Sequence, residues 1–409
     1  MINTTYKNSP LGLIPEDWEV IEFGEFAERG KNQYLPKLNE NLKCLELEHF
    51  EQGTGNILGY VNSSEQKSNK NKFVEGQVLF GKLRPYLKKY WLTEFEGVCS
   101  SEVWVLNSKS NKCTNEFIFR LVQSNRFIQV ANVSSGSKMP RADWDYVSNF
   151  PFSIPPLPEQ KAIADCLSTW DKAIEKLNAL ISQKELSKKA LMQQLLSGKK
   201  RLKGFSGEWK EVRLGDLGDT YNGLTGKSKE DFGSGFPFIT YMNIFSNSRI
   251  DVEKVDFVKI DVKENQNKTK YGDIFFTVSS ETPNEVGMTS VLLNEVNNLY
   301  LNSFCFGFRL FDFESLKPEF AVFLFRFDDF RKEIVLLAQG STRFNLSKAG
   351  VKKILLSLPE LEEQTAIANV LKCSDTEIQL LKNKLAQFKE QKKGLMQVLL
   401  TGKKRLKIK

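Results

Sequence analysis

The feature that most constrains this chain is that part of it occurs twice. Gly136-Ser137 recurs as Gly340-Ser341, Glu159-Gln160 as Glu363-Gln364, and Leu191-Met192-Gln193 as Leu395-Met396-Gln397, all without a gap. Over Gly136 to Lys203, roughly 29 of about 68 positions are identical to their partners in Gly340 to Lys407, far beyond chance. Both copies end in GKKRLK, at Gly198 to Lys203 and at Gly402 to Lys407, and a fainter echo around Trp18 and Trp209 opens each half. A chain of 409 residues exceeds one ordinary hydrophobic core. The repeat therefore divides it into one module used twice, near 1–203 and 204–409.

Each module changes character partway along. Residues 15–157 and 206–360 hold short aromatic and β-branched runs broken by Gly, Asn, Ser and Pro. Gly76–Phe80, Val98–Leu106, Gly272–Val278 and Phe304–Phe311 read as strands, and Thr114–Val130 and Pro318–Leu337 as helices. After Pro155-Pro156 and after Pro359 the pattern becomes helical. The first copy places Ile163, Leu167, Trp170, Ile174, Leu177, Ile181, Leu191 and Leu195 on one stripe. The second places Ile367, Leu371, Ile378, Leu381, Leu385, Phe388, Leu395 and Leu399 there. So narrow a stripe needs an elongated helical partner, and antiparallel pairing of the two copies would satisfy it. Lys184, Lys188 and Lys392 fall on the stripe and weaken its middle. Gly198 and Gly402 are expected to close the helices in the left-handed conformation, with lysines favourable at the C-termini. Rods of about 55 Å follow from about 37 residues at 1.5 Å each. The expected class is α+β: two mixed α/β globular domains at 1–157 and 204–361, separated by long antiparallel helices at 158–203 and 362–409.

Charge favours a polyanionic partner. The chain carries +8 overall. The stretches from Lys161 to Lys203 and from Thr365 to Lys409 alone hold about +14, leaving about −6 on the remainder, so a globular part that touches nucleic acid must do so through local basic patches. The six cysteines are scattered, without a CxxC pair, and His49 is the single histidine. Buried thiols in a reducing cytoplasm are the simpler reading, and a metal site is not expected. There is no basic-apolar leader and no 18-residue apolar run, which places the expected chain in the cytoplasm. No dinucleotide fingerprint, phosphate loop, amino-methyltransferase NPPF segment or nuclease carboxylate-lysine cluster is found, so a binding role is expected and not a catalytic one.

These pieces resemble the specificity subunits of type I restriction-modification systems. The resemblance lies in Pro156-Leu157-Pro158-Glu159-Gln160 with Ile163, Ala164 and Leu167, in Leu361-Glu362-Glu363-Gln364 with Ile367, Ala368 and Leu371, in the two GKKRL ends, and in GQVLFGKLRPYLKK at Gly76 to Lys89. It covers essentially the whole chain. The second copy departs by carrying Glu360 and Glu362 for Pro156 and Pro158, and GDIFFTVSSETPNEVG at Gly272 to Gly287. The resemblance implies a non-enzymatic reader of a bipartite, gapped double-stranded DNA site. It implies docking of two modification subunits, with two restriction subunits completing an endonuclease. S-adenosylmethionine, ATP and Mg would be held by those partners, and no cofactor by this chain. The competing reading is an architectural protein that binds protein partners through its helix pair. A catalytic DNA enzyme of new type is a third.

Candidate DNA contacts in the first module are Lys82, Arg84, Lys88 and Lys89. Held together on one loop, they give up hydration cheaply against phosphates, and the Arg84 fork can also address a guanine edge; an ordinary solvated face is the alternative. The Gly-Ser segment adds Ser137, Lys138 and Arg141, matched in the second module by Ser341, Thr342, Arg343 and Asn345. Both precede a short expected helical turn whose free N–H groups suit an anion, and a plain capped turn remains open. Lys227, Lys229, Thr282 and Asn284 complete the set from loops of the second module. Trp18 and Trp209 read as core residues and not stacking platforms.

Overall fold

The computed structural model describes residues 5–109, 111–133, 139–340 and 342–407. It is α+β, with two mixed globular parts and two 39-residue helices, Leu157–Leu195 and Leu361–Leu399. The compact units do not coincide with the sequence repeats. The first comprises residues 1–179 and 382–409, the second residues 180–381, so the dividing lines fall inside the long helices and each repeat contributes to both units.

In the first unit a four-stranded sheet runs in the order Tyr90–Leu92, Val78–Gly81, Val103–Ser108, Ala27–Arg29. A five-stranded sheet runs Gln33–Tyr34, Lys70–Phe73, Gly97–Ser100, Lys43–Leu45, Val61–Asn62. The expected strand Val98–Leu106 is thus two strands in two sheets, broken at Ser101-Glu102. The expected helix Thr114–Val130 is likewise two, Asn115–Gln123 and Asn125–Ala131. Each has its own cap: the Thr114 and Ser124 side chains accept from the Phe117 and Phe127 amides. The second unit repeats the plan. Its four-stranded sheet runs Gly218–Asn222, Cys305–Leu310, Ile274–Thr277, Thr289–Val291, beside the helices Pro318–Leu324 and Asp328–Leu336.

Phenylalanine fills both cores. In the first unit Trp18, Phe23, Phe26, Phe80, Phe117 and Phe127 pack with Ile163 and Leu167 from one long helix and Leu399 and Leu400 from the end of the other. In the second, Phe276, Phe306, Phe308 and Phe320 pack with Leu195, Leu196, Ile367 and Leu371. The ends of the apolar stripe therefore enter globular cores. Leu177, Ile181 and Ile378 are also buried, Ile174, Leu381 and Leu385 are half-buried along the middle, and Leu191 and Leu395 are half-buried against the cores near the helix ends.

Within each unit the two helical tracts run antiparallel. In the first, Glu159 faces Arg405, Trp170 packs edge-on to Phe388 with centroids 5.4 Å apart, and Asp171 pairs with Lys392. In the second, Glu363 faces Arg201, Asp375 pairs with Lys188, and Glu377 with Lys184 at 2.7 Å. The lysines that interrupt the stripe are thus ion-pair partners that fix the register of the pairing. Glu159 is wholly buried and accepts from Arg405 Nε and Nη2 at 3.0 and 2.6 Å and from Trp18 Nε1 at 2.9 Å. Glu363, equally buried, accepts from Arg201 at 2.5 Å through each oxygen and from Trp209 Nε1 at 3.2 Å. The neighbouring glutamines also act alike. Gln160 receives the Thr114 amide and donates to the Lys112 and Pro155 carbonyls; Gln364 receives the Lys317 amide and donates to those of Ser315 and Pro359.

Gly198 and Gly402 end the helical tracts with φ of 70° and 69°. A side chain at Gly198 would meet nothing nearer than Trp209 at 3.5 Å, whereas a Cβ at Gly402 would stand 2.4 Å from Pro15 Cδ. Gly198→Ala should therefore cost only the left-handed penalty, about 1–2 kcal/mol. Gly402→Ala should cost more, because Pro15 must also shift. Thermal unfolding of the two variants measures the difference, and equal losses would show that the Pro15 contact yields freely.

Candidate nucleic-acid interface

The strand Val78–Gly81 delivers the chain into the basic segment Lys82–Lys89, and the backbone there is tied to the segment after the Gly-Ser pair. The Lys82 amide donates to the Glu102 carbonyl at 2.9 Å, the Ala142 amide to the Lys82 carbonyl at 2.9 Å, and the Arg84 amide to the Pro140 carbonyl at 2.8 Å. Leu83 lies opposite Arg141 in an antiparallel bridge. Two segments nominated separately from the sequence thus form one surface. Arg84 and Arg141 are exposed on it, Arg141 with its Nε 3.0 Å from Glu102.

Arg84 and Lys88 flank the short turn Pro85–Leu87, and both have φ of 52°. A left-handed backbone costs an L-residue about 1–2 kcal/mol, so the conformation persists only because its surroundings impose it. Here the Pro140 carbonyl holds the Arg84 amide and the Gly53 amide holds the Lys88 carbonyl. The turn also presents Tyr86, about half exposed between the two cations. The charge-based selection passed over it; its position inside Arg84-Pro85-Tyr86 is the available signal. Lys82 and Lys88 are half-buried. Lys89 is spent internally: its ammonium donates to the Leu47 carbonyl at 2.6 Å, and burial lowers its pKa.

The second unit builds the equivalent place from different residues. After the strand Ile274–Thr277, Ser279 pairs with Asn345 and Ser280 with Phe344, as Leu83 pairs with Arg141. A short turn again begins with proline, Pro283–Glu285, with Thr282 at the cap position that Arg84 holds in the first unit. Thr282, Asn284, Thr342, Arg343 and Asn345 are all exposed. Thr282 Oγ1 donates to Glu285 at 2.8 Å. Lys229 is exposed at the start of its own short turn. Lys227 is not available as a free cation: its side chain is 5% exposed and pairs with Glu264 at 2.5 Å, which holds that carboxyl down at about 2. Ser137, Lys138 and Ser341 lie outside the described residues.

Other sequence expectations find structural places. Trp18 is fully buried. His49 accepts the Glu46 amide through Nδ1 at 2.9 Å. All six cysteines are free thiols, and burial pushes Cys44 up to about 11. Among the described residues no cluster of His, Cys, Asp and Glu could hold a metal ion, and no helix is long and apolar enough to cross a membrane.

Comparison with known proteins agrees with this duplicated plan. The type I restriction modification DNA specificity domain matches residues 15–184 and again 206–390. The MjaVIII specificity subunit of a type I restriction enzyme from Methanocaldococcus jannaschii is 26% identical over 96% of this chain and 94% of that protein. The EcoDI specificity subunit from Escherichia coli is 32% identical over 46% of this chain and 43% of its own length. In fold, the chain is similar to a protein from a study of complex assembly and conformational transition of a type I system, with a TM-score of 0.64, 20% identity and coverage of 95% and 99% of the two chains. It is also similar to the HsdS subunit from Thermoanaerobacter tengcongensis, with a TM-score of 0.53, 20% identity and coverage of 95% and 98%. With both halves matched in order, the chain belongs to the type I restriction-modification DNA specificity family, as a sequence-specific DNA-recognition subunit and not a catalytic one.

Proposed function

We propose that each unit reads one half of a bipartite, gapped duplex site, through the paired loops around Arg84 and Arg141 in the first unit and around Thr282, Asn284, Arg343 and Asn345 in the second. The observation that carries this is the same loop pairing built twice on different side chains: Leu83 opposite Arg141 and Ser279 opposite Asn345. A common backbone frame sets where side chains meet a groove, and different side chains on that frame select different bases. The first unit offers mainly cations, suited to phosphates and guanine edges; the second offers hydroxyl and amide groups beside the cation Arg343, suited to adenine and mixed contacts.

The chain works in the cytoplasm as the recognition part of an assembly. Its relatives are named specificity subunits of type I restriction enzymes, which supports assembly with the other subunits of such an enzyme; the composition we infer is two modification subunits and two restriction subunits. Leu180, Leu186 and Leu380 stand exposed on the long helices and offer apolar purchase to partner helices. S-adenosylmethionine, ATP and Mg belong to those partners, and this chain supplies the address.

Co-expression with a modification subunit followed by methylation mapping is expected to give one asymmetric motif in two parts. The gap should be about 5–8 base pairs, placing the half-site centres near one turn of DNA, about 34 Å. A single uninterrupted motif would overturn the reading, and assembly without any sequence-dependent DNA affinity would favour an architectural role.

A second test separates exposed from internally paired cations. Arg84→Ala should weaken binding about tenfold and lower the salt dependence by about one counterion. Lys227→Met should lower the melting temperature of the chain while leaving the salt slope unchanged. Equal salt slopes for Arg84→Ala and the unmodified protein would remove Arg84 from the interface.

A further inference from the structure

The two recognition turns rest on the second helix of the local helix pair, but they rest on it differently. In the first unit Asn125–Ala131 packs beneath Pro85–Leu87, and in the second Asp328–Leu336 packs beneath Pro283–Glu285. The fourth residue of the first of these helices is Ile128, buried among aromatic side chains. The fourth residue of the second is Arg331, whose guanidinium fans out to the backbone of the turn. Nη1 donates to the Gly287 carbonyl at 2.6 Å, and Nη2 to the carbonyls of Val286 at 2.6 Å and Asn284 at 3.0 Å.

Three features show that this contact fixes position and does not pair charge. First, the acceptors are all main-chain carbonyls, and no carboxylate partners Arg331 among the described residues. Burial lowers its pKa, so the cation is held at a cost that neutral acceptors only partly offset. Second, the same segment is drawn in tightly at its far end. Gly287 has φ of 61°, and a Cβ there would stand 2.7 Å from both Ile334 and Leu346, so the backbone can reach the guanidinium only without a side chain. Third, a neighbouring arginine does the same for the adjoining wall: Arg326 donates to the carbonyls of Thr289, Ile244, Phe245 and Asn247. The turn carries Thr282 and Asn284 outward, both exposed, while its inner edge is bonded to a rigid helix.

We propose that Arg331 is a positioning residue for DNA recognition by the second unit: its three bonds to Asn284, Val286 and Gly287 hold the Thr282–Gly287 turn where its side chains meet base edges. This rests on reading that turn as part of the DNA face. Arg331 itself lies behind the turn and contributes geometry. Recognition of a base edge tolerates only about 0.5 Å of misplacement, so loosening the turn lowers discrimination more than total affinity.

The test uses the full chain in the assembly that serves for methylation mapping, with duplex oligonucleotides carrying the mapped site and single-base changes in either half. Arg331→Met keeps the packed stem and removes every donor. It should reduce discrimination at the half-site read by the second unit about tenfold and leave discrimination at the other half-site unchanged. Arg331→Lys, which can satisfy one or two of the three carbonyls, should recover part of the loss. The double variant Thr282→Ala with Asn284→Ala is the reference for the turn itself. If that double variant loses discrimination while Arg331→Met does not, Arg331 is not a positioning residue and the turn still reads DNA. If the double variant leaves discrimination intact, both ideas fall. A parallel loss at both half-sites that follows the melting temperature would show a merely structural arginine and overturn the proposal.

Discussion

Each unit depends on one buried carboxylate whose counter-charge comes from the other copy of the repeat. Glu159 and Glu363 are both without solvent exposure, and an unpaired carboxylate in such a place is prohibitively costly. Each could in principle be answered by the arginine of its own GKKRL end. The helix forbids it. The continuous helix advances about 54 Å from Glu159 to its end at Leu195, just before Arg201, far beyond the reach of any side chain. Arg405 therefore answers Glu159 and Arg201 answers Glu363, and the compact units are out of phase with the repeats. Removing one member of such a pair strands the other, which costs about 3–5 kcal/mol in comparable buried pairs. The two hubs are near copies, each with a tryptophan N–H as third ligand, but their rims differ: Arg405 also binds Asp17, where Arg201 binds the Gly207 carbonyl.

The sequence supplied the premises of this exchange, two long helices paired antiparallel, but not the residues that carry it, because no local pattern marks Glu159 or Glu363 as buried. Glu-Gln and Lys-Lys-Arg recur in both copies, and only the length and antiparallel pairing of the helices assign each glutamate to the arginine of the other copy. The long helices, their glycine ends and the α+β class were legible, since they rest on periodicity and on local backbone preference. The lysines at 184, 188 and 392 looked like defects in an apolar stripe. Their roles required knowing that Glu377, Asp375 and Asp171 stand opposite, which is a fact of pairing register and not of local pattern. The breaks at Ser101-Glu102 and at Ser124 were missed for a related reason. Continuous apolar runs hide a change of sheet or a new cap when the residues on both sides are buried.

At the candidate interface the sequence was a better guide to which segments lie together than to which side chains are free. Both the Lys82–Lys89 run and the region of Arg141 were nominated, and the structure bonds their backbones together. Within them, charge alone could not separate Arg84, which is exposed, from Lys89, which donates to a main-chain carbonyl, or Lys229 from Lys227. An ammonium bonded to a carbonyl leaves no mark in the sequence, because every residue supplies a carbonyl. Arg331 escaped for the same reason: its three acceptors are main-chain atoms.

The two copies thus divide physical labour in opposite ways at their two ends. At the helix hub the side chains repeat, because a buried ionic cluster has few solutions and any single change leaves a charge unsatisfied. At the turns the backbone frame repeats while the side chains do not. In the first unit, left-handed Arg84 and Lys88 are imposed by tertiary hydrogen bonds over the helix Asn125–Ala131, whose fourth residue is the buried, apolar Ile128. In the second, a turn without such strained residues is fastened from beneath by Arg331. A support that must match the turn above it can be apolar where the turn is stiffened by its own neighbours and must be a donor where the turn offers unpaired carbonyls. On the proposed reading of these turns, a change of specificity calls for changing the exposed turn and the helix residue beneath it together, while the carboxylate hub can stay as it is.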